Sequence, residues 1–295
     1  MMKHTPLSAE LLINVASRRG RESSDDIIRA CKNNGIQLTK ITRLAQPQRL
    51  QSVLKKIVAR KPRLLIVGSG DGTVSDVVDE LAHTEIELGI VPLGTTNNFA
   101  RSLGLPLSID EAVKHIAVSN PKKIDLGLLN GDYFANVAGV GISADIAATI
   151  PNSLKKRYGR AAYVIHGFKV LMRHKPFRAT ITDKNGKLAL NIRTHQLIVA
   201  NGKYHAGTEI AMDTAVDSSE LVIFKLGGTS RLSLIWHMID FYVGRRSSVT
   251  HTSYLIAKDI TIKTNRTVSI ELDGEVKERT PAEVKVKASV LRVRH

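Results

Sequence analysis

Hydrophobic residues follow two different periodicities in the two halves of the chain. In the first half, branched apolar runs such as Leu64–Val67 and Leu88–Val91 alternate with segments of helical periodicity. The segment after the first run places four apolar residues at the i, i+3, i+4 and i+7 spacing of one helix face, namely Val74, Val77, Val78 and Leu81. Strands that alternate with helices predict a parallel sheet with helices on both faces.

The pattern changes near residue 122. Asn130-Gly131 and the segment Lys184–Lys187 each separate strand-like runs, which is typical of hairpin turns, and two helical stretches are predicted near 160–172 and 232–243. We therefore predict an α/β domain over residues 1–122 and a mainly antiparallel β domain over 123–295, whose last residues return to pack on the first. The expected site lies in the cleft between the two domains.

Two glycine-rich loops follow the apolar runs of the first half. Gly70 and Gly72 flank Asp71, and glycine lets backbone N–H groups approach a bulky anion beside a helix N-terminus. A carboxylate at such a site makes most sense facing a divalent cation. The second loop carries hydroxyl and amide groups at 95–98, which either cap the next helix or bind a ligand. Two such loops at the carboxyl ends of strands indicate a ligand site.

Composition narrows the choice of partners. The chain has 295 residues, 43 Lys and Arg against 27 Asp and Glu, a net charge of +16 and a pI near 10.0. This excess favours association with an anionic surface. Aromatic residues are not interleaved with the basic ones, which argues against a nucleic-acid partner. Cys31 is the single cysteine, and no apolar run reaches the roughly 20 residues of a membrane span. A cytoplasmic protein that associates peripherally with a membrane fits best.

The loop sequences resemble a known enzyme family. GSGDGTVSDVV followed by PLGTTNNFARSLGLP is similar to the catalytic domains of diacylglycerol kinases and sphingosine kinases, and most closely to their bacterial soluble branch. Further similar stretches begin at Ile124 and Asn201, and ELDGEV begins at Glu271. The resemblance implies the NAD kinase/diacylglycerol kinase-like fold. It also implies ATP- and Mg²⁺-dependent phosphorylation of a membrane lipid, with diacylglycerol as the first candidate.

Roles for individual residues follow from the resemblance. Asp273 takes the position of the catalytic base, and Glu275 is its nearest competitor, although Asp-Gly is also a common surface turn. The residues that would contact nucleotide are Asn14, Ser17, Thr42, Ser69, Gly70, Asp71, Gly72, Thr73, Gly94, Thr95 and Asn97. Val15 and Arg18 depart from the family's first nucleotide turn.

Two further departures affect metal binding. The family's Asn-Asp-Phe is Asn97-Asn98-Phe99 in this chain, and its acidic metal turn reads Asp217-Ser218-Ser219-Glu220. The resemblance therefore implies that an accessory magnesium site is weakened or rebuilt. Asp71, Asp217 and Glu220 are the residues left to bind a metal there.

Several alternatives stay open at the level of sequence. An NAD kinase shares the Gly-Asp-Gly loop, and a catalytically weak protein that binds lipid or nucleotide would account for Asn98 and Ser218. The basic cluster 155–160 and helix 232–243 suit either membrane contact or an ordinary surface and core. The identity of the lipid and the oligomeric state, a homodimer included, are left open.

Overall fold

The computed structural model of the protein describes residues 7–151, 160–202, 204–205, 208–209, 217–225, 229–230, 233–236 and 254–295. The chain divides into two compact units. The first unit comprises Met1–Asp125 together with Ala288–His295, and the second comprises Leu126–Lys287. The chain thus enters the second unit once and then contributes eight further residues to the first.

A parallel sheet forms the centre of the first unit, with strand order β2-β1-β3-β4-β18. Its strands are β1 Leu7–Ile13, β2 Ile36–Arg43, β3 Leu64–Ser69, β4 Glu87–Pro92 and the last residues of β18 Ala282–Arg294. β3 and β4 are buried at every position, which explains why they read as continuous apolar runs. The predicted parallel sheet is confirmed.

Helices follow the strands of the first unit. They are α1 Arg18–Glu22, α2 Ser24–Asn33, α3 Leu50–Arg60, α4 Asp71–Leu81, α5 Asn98–Ser102 and α6 Ile109–Val118, with a 3₁₀ turn at Pro47–Arg49. α2 packs against α6, and α3 packs against α4. Ser108 is the N-cap of α6, but its hydroxyl donates to the Glu111 carboxylate at 2.7 Å and accepts no helix N–H. The two side chains of this Ser-x-x-Glu pair therefore bond to each other, and the serine hydroxyl does not cap a helix N–H as it would in a capping box.

Antiparallel strands build the second unit. Outside the part of β18 already given, they are β5 Pro121–Leu129, which begins in the first unit, β6 Asp132–Phe134, β7 Val137–Gly141, β8 Phe177–Asp183, β9 Leu188–Thr194, β10 Gln196–Ala200, β11 Tyr204–His205, β12 Thr208–Glu209, β13 Leu221–Lys225, β14 Tyr254–Ala257, β15 Asp259–Thr264, β16 Ser269–Leu272 and β17 Glu275–Arg279. One sheet has the order β14-β13-β10-β7-β16-β17, and β9, β8, β15 and β18 pair in a second. Both predicted hairpins form, with positive φ at Asn130, Gly131 and Gly186.

Side chains from both sheets of the second unit share one core, which includes Val140, Phe177, Leu197, Ile223 and Ile262. The second unit is therefore an antiparallel β sandwich, which confirms the mainly antiparallel β domain that the sequence predicts. Helices α7 Ile142–Thr149 and α8 Arg160–Arg173 accompany it. The predicted helix 232–243 lies outside the described residues except at 233–236, which are helical. None of the helices in the described part of the chain is long and apolar enough to cross a membrane.

Candidate active site

Three loops leave the carboxyl ends of β1, β3 and β4, and hydrogen bonds join them within the first unit. Asn14, directly after β1, donates from Nδ2 to the Thr73 hydroxyl at 2.9 Å, while its Oδ1 accepts the Ala16 N–H. Ser17 accepts the Gly20 N–H and so caps α1. Two residues predicted to contact nucleotide, Asn14 and Thr73, are therefore neighbours although 59 positions separate them.

The glycines of the second and third loops touch each other. A Cβ built on Gly94 would lie 2.8 Å from the Gly70 Cα, and one built on Gly70 would lie 3.1 Å from the Gly94 Cα. Real Cβ atoms do not pack this closely, so the contact requires glycine at position 94 in particular. The backbones of the two loops consequently form one continuous surface.

Asp71 connects the same two loops through its side chain. Oδ2 accepts the Thr96 hydroxyl at 2.7 Å, and Oδ1 accepts the Phe99 backbone N–H at 3.3 Å. A carboxylate offers about four acceptor positions, so these two bonds are compatible with further ligands. Among the described residues no group of three or more His, Cys, Asp or Glu side chains could hold a metal ion. Mg²⁺ commonly takes only one or two ligands from protein carboxylates, with phosphates and waters as the others, and Asp71 is suited to be such a ligand.

Asn97 stabilises the third loop from inside. Its Oδ1 accepts the Gly94 N–H at 2.8 Å, its Nδ2 donates to the Gly94 carbonyl, and its side chain is buried. Its φ of 48° places it in the left-handed region, which asparagine tolerates better than most residues. Thr95 is exposed beside it, whereas Ser69 is buried at the end of β3. Asn97 thus shapes the loop, and Thr95 is the member that faces solvent.

Asp273 lies in the second unit, at the turn between β16 and β17. Asp273 and Gly274 both have positive φ, at 50° and 97°, as the Asp-Gly dipeptide of a tight hairpin requires. The carboxylate accepts three consecutive backbone N–H groups, from Ala135 at 2.7 Å and from Asn136 and Val137 at 2.9 Å. These bonds fix the side chain and stabilise its charged form.

A second carboxylate, Glu271, is buried behind this turn. Its Oε2 accepts the Gly274 N–H, and its Oε1 accepts the Ser143 hydroxyl at 3.3 Å. Gln196 donates to the same hydroxyl at 2.8 Å and accepts the Ser143 N–H. Burial raises the pKa of Glu271 to about 8, and the charge of Asp273 adds to the effect, while the hydrogen bonds from Gly274 and Ser143 oppose it.

Glycine makes room for Glu271 on the neighbouring strand. Gly139 pairs directly with Glu271 in the sheet, and a Cβ on Gly139 would lie 2.4 Å from Oε1 and 2.5 Å from the Ser143 Oγ. Glu271 therefore sits in a space shaped for a carboxyl group. The sequence analysis did not single out Glu271, Ser143 or Gln196, because their association depends on the pairing of β7, β10 and β16.

The remaining predicted residues lie apart from these networks. Glu275 is exposed at the start of β17. Asp217 is exposed, Ser218 and Glu220 are half-buried, and Ser219 between them has a φ of 55°. Thr42, near the end of β2, is half-buried opposite Leu12. Asp217 and Glu220 belong to the second unit and Asp71 to the first, so their joint role as metal ligands stays a prediction.

Two residues of the loop network were missed as site residues in the sequence. Arg19 donates to the Gly94 carbonyl at 3.4 Å, and Thr96 donates to Asp71. Thr96 stood among the four polar residues of its loop, but only the folded loop shows which of them meets the carboxylate. Arg19 carries no sequence signal, because it reaches Gly94 from a helix 75 residues away.

Comparisons with known families cover almost the whole chain. Residues 8–129 match the diacylglycerol kinase catalytic domain, and residues 136–295 match the YegS C-terminal NAD kinase β sandwich-like domain. The diacylglycerol kinase of Bacillus subtilis is 29% identical over 234 residues, covering 78% of this chain and 76% of that protein. A Chromohalobacter salexigens protein named probable lipid kinase YegS-like is 30% identical over 216 residues, covering 72% of this chain and 69% of its own.

A solved structure has the same fold. The crystal structure of a diacylglycerol kinase from Bacillus anthracis superposes with a TM-score of 0.74 over 98% of this chain and 97% of that one, at 22% sequence identity. The fold predicted from the sequence, an α/β domain followed by an antiparallel β domain, is thereby confirmed.

Proposed function

Because the chain belongs to the family of bacterial diacylglycerol kinase-like lipid kinases, we propose that it transfers the γ-phosphate of ATP to the hydroxyl of a membrane lipid, with diacylglycerol as the first substrate to test. The observation that carries this proposal is the contact of two glycine loops at the carboxyl ends of adjacent parallel strands. This is the position at which open α/β sheets bind their ligands.

The loop surface suits a polyphosphate. α4 begins at Asp71 directly after Gly70, so its first backbone N–H groups and the positive end of its dipole face the loops. Gly70 and Gly94 carry no side chains that would keep phosphate oxygens away from the backbone. Asn14 and Thr73 add polar groups on one side, and the exposed Thr95 hydroxyl adds one on the other.

Magnesium is the cofactor that this donor set fits. Mg²⁺ bound with ATP neutralises charge that develops on the transferred phosphoryl group. Asp71 would bind the ion or its waters, and its bonds to Thr96 and Phe99 hold the carboxylate in place before the nucleotide arrives. Asp217 and Glu220 are proposed as accessory ligands.

Asp273 would orient the acceptor hydroxyl. Three N–H donors stabilise its anionic form, so it is better suited to hold a hydroxyl group by a hydrogen bond than to remove the proton early. Phosphoryl transfer through a loose transition state makes little demand for early deprotonation. The proton would pass to Asp273 as the new oxygen–phosphorus bond forms, and Glu275 is the neighbouring carboxylate that could share this task.

Transfer of labelled γ-phosphate tests the proposal. The purified protein is incubated with ATP and Mg²⁺ and with separate vesicles or micelles of diacylglycerol, sphingoid base, ceramide and phosphatidylglycerol, and with free NAD. We expect label in diacylglycerol, and a loss of about 10²–10⁴-fold in rate for Asp273→Asn, the range for removing a group that handles the proton. Thermal melts of both proteins show whether the variant is folded.

Other outcomes are equally informative. Transfer of label to NAD would show that the protein is a nucleotide kinase and would contradict the lipid-kinase proposal. ATP binding without transfer to any acceptor would identify a binding protein. Asp71→Asn should weaken the Mg²⁺ dependence of ATP binding, and unchanged dependence would contradict the role given to Asp71.

A further inference from the structure

α8 carries both buried and exposed apolar residues. Leu171 is buried with Ile142, Ile146 and Leu234. Ile165, Phe168 and Met172 are each more than half exposed, at 54%, 56% and 53%. The spacing of three and four residues aligns these three side chains in one row, which we call the α8 stripe. An exposed contiguous apolar row of this kind marks an interaction site.

The stretch of chain that contains α8 carries charged residues of one sign. From residue 146 to residue 182 the chain has no Asp or Glu, and it has eight basic residues, namely Lys155, Lys156, Arg157, Arg160, Lys169, Arg173, Lys175 and Arg178. Lys169, Arg173 and Lys175 lie within the described part of this stretch and are exposed. A large apolar surface with a basic border is the composition that binds the interface of an anionic bilayer.

A second exposed aromatic residue lies on a neighbouring element. Leu234 packs in the same cluster as Leu171 of α8, and Trp236, two residues further on, is 64% exposed. Tryptophan is enriched at the level of lipid headgroups because its ring is apolar and its N–H is polar. The sequence analysis considered the basic cluster 155–160 and residues 232–243 as membrane contacts, and it predicted the helix near 160–172 without giving that helix this role.

We propose that the α8 stripe is the surface by which this protein docks on an anionic lipid bilayer. Phe168, Ile165 and Met172 insert between the lipids, and Lys169, Arg173 and Lys175 contact the headgroups. A second copy of this chain is a poorer occupant, because two such helices face to face would bring together two stretches, 146–182 of each copy, that contain basic residues and no acidic ones. The inference extends the proposed function by naming the surface that reaches the substrate's membrane.

Vesicle binding tests the docking surface without any phosphoryl transfer. Sedimentation with vesicles of phosphatidylcholine and phosphatidylglycerol should show binding that weakens with salt and that is much reduced with phosphatidylcholine alone. Phe168→Ser should weaken binding roughly tenfold to a hundredfold, the effect of losing one large buried apolar group. Val118→Ser is the matched control, because Val118 is 75% exposed on α6 and belongs to the first unit.

Charge and activity give independent readings. Replacing Lys169, Arg173 and Lys175 together by glutamine should remove the preference for anionic vesicles while the Phe168→Ser variant keeps it. If the kinase proposal holds, Phe168→Ser should slow phosphorylation of lipid in vesicles and leave phosphorylation of a short-chain, monomeric lipid unchanged. Loss of both activities would point to the chemistry and not to docking.

Two results would overturn the inference. The first is a Phe168→Ser protein that binds anionic vesicles as tightly as the wild type. The second is a wild-type dimer in analytical ultracentrifugation that Phe168→Ser converts to a monomer, since the α8 stripe would then be an interface between copies. Because Phe168 is exposed, its replacement should leave the melting temperature unchanged, and equal melts confirm that folding does not explain the result.

Discussion

Replacing Glu271 by glutamine should flatten the dependence of stability on pH and stabilise the protein above pH 8. Glu271 is fully buried against Gly139 and Ser143, and its pKa rises from an ordinary 4.5 to about 8. Between these two pH values the folded protein keeps a proton on Glu271 that the unfolded chain has released. Stability therefore falls as the pH rises from 4.5 to 8 and is independent of this group above that range.

The size of the effect follows from the same two values. Each pH unit corresponds to about 1.4 kcal/mol, so the free energy of unfolding loses at most on the order of 5 kcal/mol across the window. Glutamine has no proton to lose. Its Oε1 can accept the Gly274 N–H, and its Nε2 can donate to the Ser143 oxygen, which reverses the direction of that bond and uses the second lone pair of an oxygen that already accepts from Gln196.

Urea unfolding followed by circular dichroism between pH 4 and pH 9 measures the difference. Other carboxylates titrate in both proteins, so the wild-type curve minus the Glu271→Gln curve isolates this group. Asp273 is the charged neighbour that acts on Glu271, and it is present in both. Glu275→Gln, on the exposed side of the same hairpin, should keep the wild-type slope. Parallel curves for wild type and Glu271→Gln would refute the argument, because Glu271 would then ionise normally in the folded protein.

Three further predictions concern the first unit. Gly94→Ala should weaken ATP binding about tenfold in calorimetry, because its Cβ would push the Gly70 loop away. Gly35→Ala is the control: its Cβ would meet no atom within 4 Å, so ATP binding should be unchanged, although its positive φ of 71° should make the variant less stable. Arg294→Met should lower the free energy of unfolding, measured in urea, by about 3 kcal/mol, because the buried Glu87 loses one of its partners and two backbone carbonyls lose their donor. The control is Arg292→Met, whose partner Glu85 is exposed, and it should lower the free energy of unfolding by less than about 1 kcal/mol. Cys31, whose pKa burial raises to about 11, should react with a thiol reagent at pH 8 only after unfolding, and rapid labelling of the native protein would contradict its burial.

Local rules were enough to predict most of the elements. The buried strands around Ile66 and Ile90 read as apolar runs, and Asn130-Gly131 and Asp273-Gly274 form the tight turns that their dipeptides favour. The helix α7 was missed. Its buried side faces the apolar cluster with Leu171 and Leu234, and the residue before it is Gly141, with a φ of 114°. The sequence therefore shows neither a clear helical periodicity of apolar residues nor a typical N-cap residue that would predict this helix.

The candidate site was predictable as a set of residues but not as a set of contacts. Asp71, Gly94 and Asn14 were found from their loops, yet their partners Thr96, Gly70 and Thr73 depend on how the strands are ordered in the sheet. Glu271 is the extreme case. A glutamate in a strand pattern indicates a solvent-facing position, and only the pairing with Gly139 shows that it is enclosed.

Strand β18 has a consequence for the order in which the protein is made. Its residues 292 and 293 pair with β4, and Val290, Leu291 and Val293 are buried in the first unit. A ribosome synthesises these residues only after the whole of the second unit. The edge of the sheet at β4 therefore stays unpaired while the β sandwich is being translated. A nascent chain halted before residue 288 would expose that edge to chaperones or to other chains.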